Sequence, residues 1–467
     1  MTERETWLRM LGQQWRRVFA LASPVMAEQV LRTLMRTTDI VIAGFFSPAA
    51  ISAVGLADLY ARISLQIGLG IGDSAIVLSS QDTGSDATTN RDEAITQALL
   101  LGTVFGLPLS LFGLAFSAEA IAVMGSEADV VRIGAAYLTI IMAAAPASIV
   151  TLIGARAIQG TGDTYTAMLV NAFANVLNII GSMTLAFGVG PAPELSIVGV
   201  AVASAVSDIV AATLFLGIIY RPQSPFTFVA PTQMVLTKQL LVLACPRIAE
   251  GCSEIAAQFP FNAILLVFGT EVNAAYHIGQ RLYQQVAAPL SRGYSVAANV
   301  LVGQALGRDD PVQAYADGLT TTLLAVGTIG LVGIGLYFGA EGFVGVFSTD
   351  TGTFDYAVQF TRIYAITAFL IAAAVVMAGS LRGGSDTVTP FLSRLTGTSV
   401  FLLGISYIGG IRLGYGVTAV YAAIVADYIC RTCLVGIVFY RRQWVGRARS
   451  FMVERGSISG ETVCEEE

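Results

Sequence analysis

Long runs of hydrophobic residues, separated by short polar breaks, make up most of this 467-residue chain. A helix needs about 20 apolar residues to cross a bilayer, and twelve of the runs meet that requirement. We therefore predict an all-α integral membrane protein with twelve transmembrane helices. The predicted spans are roughly 18–45, 52–80, 94–118, 131–157, 164–188, 196–220, 236–268, 275–304, 314–340, 355–381, 387–410 and 414–440.

The second half of the chain repeats the first at a nearly constant distance. The segment Gly70-Ile-Gly-Asp-Ser-Ala75 precedes Gly293-Tyr-Ser-Val-Ala-Ala298 by 223 positions (293 minus 70), and Asp163 precedes Asp386 by the same interval. Upstream, Pro24 precedes Pro246 by 222 positions. Two apolar halves of equal length indicate a duplicated six-helix bundle, an organisation typical of secondary transporters.

This duplication divides the chain into four predicted regions: an N-lobe over 1–220, a linker over 221–237, a C-lobe over 238–442 and a short polar tail over 443–467. Arg residues are common in the breaks on the side of the termini, whereas the loops 44–51, 189–195, 269–274 and 341–354 contain neither Arg nor Lys. Because cytoplasmic loops are enriched in Arg and Lys, we expect both termini in the cytoplasm of a multi-pass plasma-membrane protein.

The composition argues against several classes of protein. Hydrophobic residues make up 55% of the chain and charged residues 12%, about half the charged share of a soluble domain. The lipid bilayer is therefore the expected partner. The chain has no basic domain that would indicate binding to nucleic acid. His277 is the only histidine, which excludes a histidine-based metal or catalytic cluster within one chain. Cys430 and Cys433 form a CxxC inside an apolar run without a second pair, so we interpret them as small packing residues.

The first span carries four ionisable residues on one helical face, because Glu28, Arg32, Arg36 and Asp39 follow one another at steps of four, four and three. Such groups are costly within a membrane and need a partner or a function. One interpretation is a self-neutralising ladder, and the other is a cation or proton site at Asp39. A guanidinium next to Asp39 would keep the carboxylate ionised, so a pair with Arg36 would favour a structural or gating contact.

The seventh span carries Glu250 and Glu254 one turn apart, with Gln258 a further turn along the same face. We expect Arg247 to neutralise Glu250. Glu254 lies deeper and has no cation in its own helix, and a buried carboxylate without a counter-ion accepts a proton readily because protonation removes the cost of burial. The alternative is a satisfied polar contact.

Four further acidic residues have simpler interpretations. Asp208, and the pair Asp427 and Arg431, occupy comparable places in the two halves, and we interpret both as structural pairs. Asp163 and Asp386 follow glycines at the starts of the fifth and eleventh spans, where the simplest role is N-capping.

At these residues the chain resembles the multidrug and toxic compound extrusion (MATE) family of secondary transporters. The stretch from Gly293 through Ala297-Ala298 to Leu301-Val-Gly-Gln304 is similar to the family's most specific signature, in the eighth helix. Gln159-Gly-Thr-Gly-Asp-Thr164 and Leu381-Arg-Gly-Gly-Ser-Asp-Thr387 are similar to its paired turns. The resemblance extends over essentially the whole chain, and it implies two six-helix lobes arranged as a V around a central cavity.

The resemblance also implies sites. In one branch of the family an N-lobe cation or proton site matches Asp39 and Asn178, although Ser182 replaces an expected carboxylate, Met35 an expected Tyr, and Ser204 a ligating Thr. In another branch the helix 7 acid matches Glu254, and an acidic position near helix 10 matches Asp386. The sequence favours Glu254 over Asp39 as the coupling group, with Glu28, Arg36, Ser182, Ser204 and Gln258 as cavity-lining or supporting residues.

The resemblance implies export of bulky, often cationic, organic compounds by antiport with H⁺ or Na⁺, through alternating access, by a protein that we expect to be a monomer. We predict no catalytic residue, no metal site and no cofactor apart from the coupling ion. One alternative is a lipid-linked oligosaccharide or lipid flippase of the same superfamily, in which Arg32 and Arg36 would bind pyrophosphate. An intramembrane enzyme is disfavoured because the sequence shows neither paired Asp-rich motifs nor a Ser/His or paired-Asp arrangement, and it has a single His. A channel is disfavoured because duplicated halves that carry acids suit alternating access better. The physiological substrate and the choice of ion are not encoded in these motifs.

Overall fold

The computed structural model describes residues 3–125, 127–221, 224–346 and 351–458. Within that part, nearly every residue is helical and there is no β-strand. Helix α13 runs directly into a π-helical segment, Gly397–Arg412. In chain order the α-helices are α1 (Glu3–Phe46), α2 (Pro48–Gly84), α3 (Thr88–Ala122), α4 (Ala128–Ala143), α5 (Ala145–Gly160), α6 (Thr164–Phe187), α7 (Ser196–Tyr220), α8 (Met234–Phe268), α9 (Thr270–Val286), α10 (Ala288–Gly307), α11 (Pro311–Gly345), α12 (Thr351–Gly383), α13 (Val388–Thr396), α14 (Val417–Arg441) and α15 (Gln443–Glu454).

The described helices account for all twelve predicted spans. Nine are long and apolar enough to cross a membrane, and the pair α4–α5, bent by 48°, makes a tenth span when counted as one. The two remaining predicted spans correspond to α1 and to the pair α9–α10, in which charged residues such as Arg36 and Arg281 interrupt the apolar stretch. The prediction of an all-helical membrane protein with many spans is confirmed.

The chain forms two compact units. The N-unit comprises Ala27–Ile248, and the C-unit comprises the chain up to Met26 together with the chain from Ala249 onward. These bounds differ from the predicted lobes, 1–220 and 238–442, because the beginning of α1 belongs to the C-unit and the beginning of α8 belongs to the N-unit. Each repeat thus contributes the first part of its first helix to the unit formed mainly by the other repeat.

Close packing at two glycines explains this exchange. In the N-unit, a Cβ on Gly70 of α2 would lie 2.4 Å from Ile248 Cγ1 of α8. In the C-unit, a Cβ on Gly293 of α10 would lie 2.4 Å from Met26 Cγ of α1. Gly70 and Gly293 are 223 positions apart, and Met26 and Ile248 are 222 apart, so the two contacts are equivalent within the repeat. Helices that approach this closely need a residue without a side chain at the contact.

Each unit has its own hydrophobic core. The core of the N-unit is mostly aliphatic and includes Ile42, Ile121 and Leu138. The core of the C-unit also contains several aromatic rings, among them Tyr276 and Phe360, whose ring centroids are 5.6 Å apart.

The predicted linker is bound to the N-unit rather than free. Asp92 Oδ2 accepts hydrogen bonds from the Thr227 backbone N–H at 2.8 Å and from its hydroxyl at 2.9 Å. Glu93 Oε1 accepts from the backbone N–H groups of Thr232 at 2.5 Å and of Gln233 at 2.6 Å. Two carboxylates at the start of α3 therefore bind the segment that leads into α8.

The segment after residue 442 begins with a packed helix, which replaces the predicted polar tail over Gln443–Glu454; residues 459–467 lie outside the described part. On α15, Trp444, Ala448 and Met452 are buried in a cluster with residues of α10, α11, α12 and α14. The Trp444 indole N–H donates to the Phe439 carbonyl oxygen at 3.1 Å. The spacing of four between these apolar residues gives α15 one apolar face, and that face anchors it.

Candidate functional site

Asp39 lies on α1 at one end of a polar cluster in the N-unit. The residue is 8% exposed, and the Ser182 hydroxyl donates to Asp39 Oδ1 at 3.3 Å. The same hydroxyl lies 3.5 Å from Asn178 Oδ1, and Asn178 Nδ2 donates to Ser204 Oγ at 2.8 Å. The structure therefore brings together all four residues that the sequence singled out for an N-lobe site.

The local helices explain this grouping. Asn178 and Ser182 are one turn apart on α6 and so lie on the same face. Ser204 is on α7, where the Ser207 hydroxyl, 3.5 Å from Asn178 Nδ2, adds a further polar group. Two of the three positions at which the chain departs from the family pattern, Ser182 and Ser204, thus supply hydroxyl oxygens to the cluster.

The ladder on α1 is only partly neutralised by its own members. Arg32 pairs with Glu28 at 3.6 Å. Among the described residues, Arg36 and Asp39 form no ion pair with each other, and the Arg36 side chain is exposed. Asp39 therefore has a neutral hydroxyl as its hydrogen-bond partner, and Arg36 lies beyond ion-pair distance while its charge still acts on the carboxylate. This weakens the objection that the sequence raised against an ion site at this position.

Glu28 belongs to a separate buried network of polar side chains in the N-unit. Its Oε2 accepts a hydrogen bond from Gln159 Nε2 at 3.2 Å, and Gln159 Oε1 accepts one from Arg156 at 3.3 Å. Arg156 also contacts Asp73 at 3.7 Å. Glu28 therefore helps to join α1 to α5 and, through Arg156, to α2, which indicates a supporting role.

The C-unit supplies Glu250 with cations from other helices. Arg382 Nη2 of α12 donates to both Glu250 oxygens, at 3.1 and 2.8 Å, and Arg394 Nε of α13 lies 3.3 Å from Oε1. Arg247 donates to Asp73 Oδ2 in the N-unit at 2.9 Å, and its expected role in neutralising Glu250 stays a prediction. The charge on Glu250 is thus compensated by groups that are remote in sequence.

Glu254 forms an ion pair with Arg394, through Glu254 Oε2 and Arg394 Nη1. The expectation of a carboxylate without a counter-ion is therefore wrong. The counter-ion comes from α13, 140 residues further along the chain, a distance at which helical spacing carries no information. The Glu254 side chain is nevertheless 52% exposed, whereas that of Arg394 is 24% exposed. Gln258, one turn further on α8, is half-buried and has no hydrogen bond to another described residue.

Asp386 has structural contacts at each carboxylate oxygen. Its Oδ1 accepts the backbone N–H of Thr389 at 3.0 Å, and its Oδ2 accepts the Thr389 hydroxyl at 2.7 Å. Arg447 of α15 lies 3.5 Å from Oδ1. Asp163 accepts the Thr166 N–H at 2.9 Å in the same way. These are capping contacts in both repeats, and an ion-coupling role for Asp386 stays a prediction.

The predicted pair on α14 is confirmed. Arg431 Nε and Nη2 donate to the two oxygens of Asp427, each at 2.6 Å, and Nη2 also donates to the Thr398 hydroxyl at 2.9 Å. Asp208 on α7 instead hydrogen-bonds the Ser148 side chain. Among the described residues it forms no ion pair.

The sequence analysis did not identify Gln159, Arg382 and Arg394 as partners of the acids in the first and seventh spans. For two of them a signal was present, because Gln159 and Arg382 are 223 positions apart and the acids that they contact, Glu28 and Glu250, are 222 apart. The repeat therefore places a polar partner for the first-helix acid at the same point in both halves. For Arg394 we find no such signal.

A helical membrane protein that carries acids in two repeated halves belongs among secondary transporters rather than enzymes. The MatE family model matches residues 24–184 and again 246–408, one copy for each repeat. The chain therefore belongs to the MATE family of transporters.

Individual comparisons agree with this assignment. A probable multidrug resistance protein NorM from Thermotoga maritima is 24% identical over 434 residues, which cover 92% of each chain. A MATE crystal structure in complex with MaD3S has a TM-score of 0.83 at 19% identity, with 94% of this chain and 97% of that chain covered. A MOP superfamily transporter from Pyrococcus furiosus also gives 0.83, at 18% identity, covering 94% and 96%. At these identities the structural likenesses show the fold alone.

Proposed function

We propose that this protein is a multidrug efflux transporter, which exports bulky and often cationic organic compounds in exchange for H⁺ or Na⁺. The relative from Thermotoga maritima is named as a multidrug resistance protein, which supports the substrate class. The observation that carries the exchange mechanism is the state of Asp39, a buried carboxylate whose hydrogen-bond partner is a neutral hydroxyl.

A buried carboxylate without a counter-ion is unstable as an anion, because its lost hydration is not replaced. A proton would remove the charge, and a sodium ion would compensate it. Either cation would find Asp39 Oδ1, Ser182 Oγ and Asn178 Oδ1 within one cluster. The difference in energy between the occupied and empty carboxylate can then bias alternating access, because an ion shifts a conformational equilibrium only by its differential affinity for the two states.

These contacts favour Asp39 over Glu254 as the coupling group, which reverses the preference drawn from the sequence. Glu254 is compensated by Arg394, so uptake of an ion there must first displace a guanidinium. Asp39 forms no ion pair among the described residues, and the Arg36 charge acts on it only from beyond ion-pair distance.

Transport into proteoliposomes tests the proposal. Purified protein is reconstituted, a proton or a sodium gradient is imposed separately, and ethidium movement is followed by fluorescence. The wild type should move the dye under one of the two gradients. Asp39→Asn should abolish gradient-driven transport. Asp129→Asn is the control and should transport normally, because Asp129 forms a 3.4 Å ion pair with Arg132 in which both side chains are more than three-quarters exposed. Gradient-driven transport by the Asp39 variant at the wild-type rate would reject Asp39 as the coupling group.

One observation favours the flippase alternative. The Arg36 side chain is exposed on a predicted span, and it forms no ion pair among the described residues. An unpaired guanidinium within a membrane attracts an anion such as pyrophosphate. Scrambling of a fluorescent lipid-linked pyrophosphate by vesicles that do not move ethidium would support this function instead.

We also propose that the protein is a monomer in the plasma membrane with cytoplasmic termini. The Arg distribution supports the orientation. In a cysteine-free background, a cysteine placed at Gly190 should react with an impermeant maleimide from outside intact cells, whereas one placed at Thr161 should not.

A further inference from the structure

Arg394 contacts two carboxylates that lie one turn apart on the same face of α8. Its Nε is 3.3 Å from Glu250 Oε1, and its Nη1 pairs with Glu254 Oε2. One guanidinium is therefore shared between two acids, and it can keep one contact while the other is lost.

The two acids depend on Arg394 to different degrees. Glu250 is 5% exposed and has a second cation, because Arg382 donates to both of its oxygens. Glu254 has Arg394 as its ion-pair partner among the described residues, and its side chain is half exposed. Loss of Arg394 would thus leave Glu250 in an ion pair with Arg382 and Glu254 without an ion pair among the described residues, with only the more distant charges of Arg431 and Arg292 acting on it.

Exposure of Glu254 has a specific meaning within a membrane span. A carboxylate that faced acyl chains would carry a large energetic penalty, so an exposed one faces a water-accessible space. A solute that enters such a space can reach the carboxylate oxygens that Arg394 leaves open.

The π-helical segment that continues from α13 is held by a hydrogen bond to a residue other than these acids. One turn beyond Arg394, the Thr398 hydroxyl accepts a hydrogen bond from Arg431, which is in turn paired with Asp427. A change in the partner of Arg394 therefore needs only a movement of its own flexible side chain, and the backbone of α13 can stay in place.

From this geometry we propose that Arg394 is a tethered counter-ion that competes with organic cations for Glu254. This inference rests on the proposed export of cations and names the group that sets their affinity. When an organic cation pairs with Glu254, Arg394 keeps its contact with Glu250. When the cation leaves, Arg394 pairs with Glu254 again and prevents an uncompensated charge.

Competition of this kind lowers the apparent affinity by the fraction of time for which Glu254 is free. If Arg394 occupies the carboxylate for about nine-tenths of the time, its removal should tighten cation binding about tenfold. A residue with a purely structural role would have the opposite effect, because its removal would loosen the site.

Ethidium binding to the detergent-purified full chain, measured by fluorescence polarisation at constant pH and salt, tests the proposal. Arg394→Gln and Arg394→Met should each lower the Kd about tenfold, and Arg394→Lys should stay close to the wild type. Arg362→Gln is the matched control, because Arg362 forms a 2.8 Å ion pair with Glu341 at similar exposure, and its Kd should not change. In Glu254→Gln/Arg394→Gln the gain should disappear.

Equal or weaker ethidium binding by folded Arg394→Gln would overturn the inference, as would a double variant that binds as tightly as Arg394→Gln. If neither neutral variant folds, Arg394 is a structural cation and the inference is also overturned. These outcomes are separable from the proposed function. Wild-type protein that moves ethidium in vesicles retains that function whatever the Arg394 variants show, whereas wild-type and variant proteins that neither bind nor transport ethidium would refute both.

Discussion

The ion pair between Asp427 and Arg431 offers the clearest test of how charges are accommodated in this helical bundle. The pair is bidentate, with both contacts at 2.6 Å, and the side chains are 3% and 14% exposed. We consider Asp427→Asn, which preserves shape and removes one charge, together with Arg431→Met and the double variant.

The expected magnitudes follow from burial. Removing one member of a buried pair typically costs about 3–5 kcal/mol, because the other charge is left uncompensated. Arg431 keeps its hydrogen bond to Thr398 and is slightly exposed, so we expect Asp427→Asn to lower the free energy of unfolding by about 2–4 kcal/mol. The double variant buries no charge at this position and should lose only about 0–1 kcal/mol. The coupling energy between the two substitutions should therefore be about 2 kcal/mol or more.

Unfolding of each variant in mixed micelles is monitored by circular dichroism. In a separate assay, ethidium transport by the double variant is measured in proteoliposomes. Asp129→Asn, at a largely exposed pair, serves as the control and should change stability by about 0.5 kcal/mol or less. Additive destabilisation, with the double variant worse than either single variant, would refute the assignment as a structural pair. A stable double variant without transport would show that the charges also act in function.

Three other substitutions test the packing of the two units. Glu93→Gln should weaken the contacts with Thr232 by about 1–2 kcal/mol and accelerate proteolytic cleavage of the linker, whereas an unchanged cleavage rate would show that the linker is held by other contacts. Trp444→Ala should lower the local free energy of unfolding of α15 by about 3 kcal/mol or more and so increase hydrogen exchange in that helix. Full protection of α15 in the variant would contradict the anchoring role of Trp444. Gly293→Val should lower the melting temperature, because a side chain there overlaps Met26, and a wild-type melting curve would show that α1 and α10 can separate without cost.

Much of the architecture could be predicted because its causes are local or periodic. Apolar runs located the helices, since backbone groups in lipid must be satisfied within a segment. The repeat extends to backbone geometry, because Asp86 and Asp309, 223 positions apart, both adopt left-handed backbone angles, with φ of 59° and 55°. The grouping of Asp39, Asn178, Ser182 and Ser204 came from the family resemblance, and the structure places them in one cluster.

Ion-pair partners were the least predictable feature. The pair on α14 could be predicted because its members are four residues apart and so share a helical face. Arg394 and Glu254 are 140 residues apart, and which of several arginines reaches a given acid depends on how helices pack, a property without periodicity.

The chain's own pattern of apolar runs, repeat spacing and in-span acids thus established a duplicated helical membrane protein and the positions at which charges must be accommodated, and the family resemblance indicated a transporter. The tertiary structure determined the partners of these charges, a neutral hydroxyl for Asp39 and a guanidinium for Glu254. It also determined the exchange of half-helices between the repeats. The physical reason is that burial in lipid acts on each segment separately, whereas a charge is satisfied only by whatever group lies within a few ångströms, and that group is determined by packing.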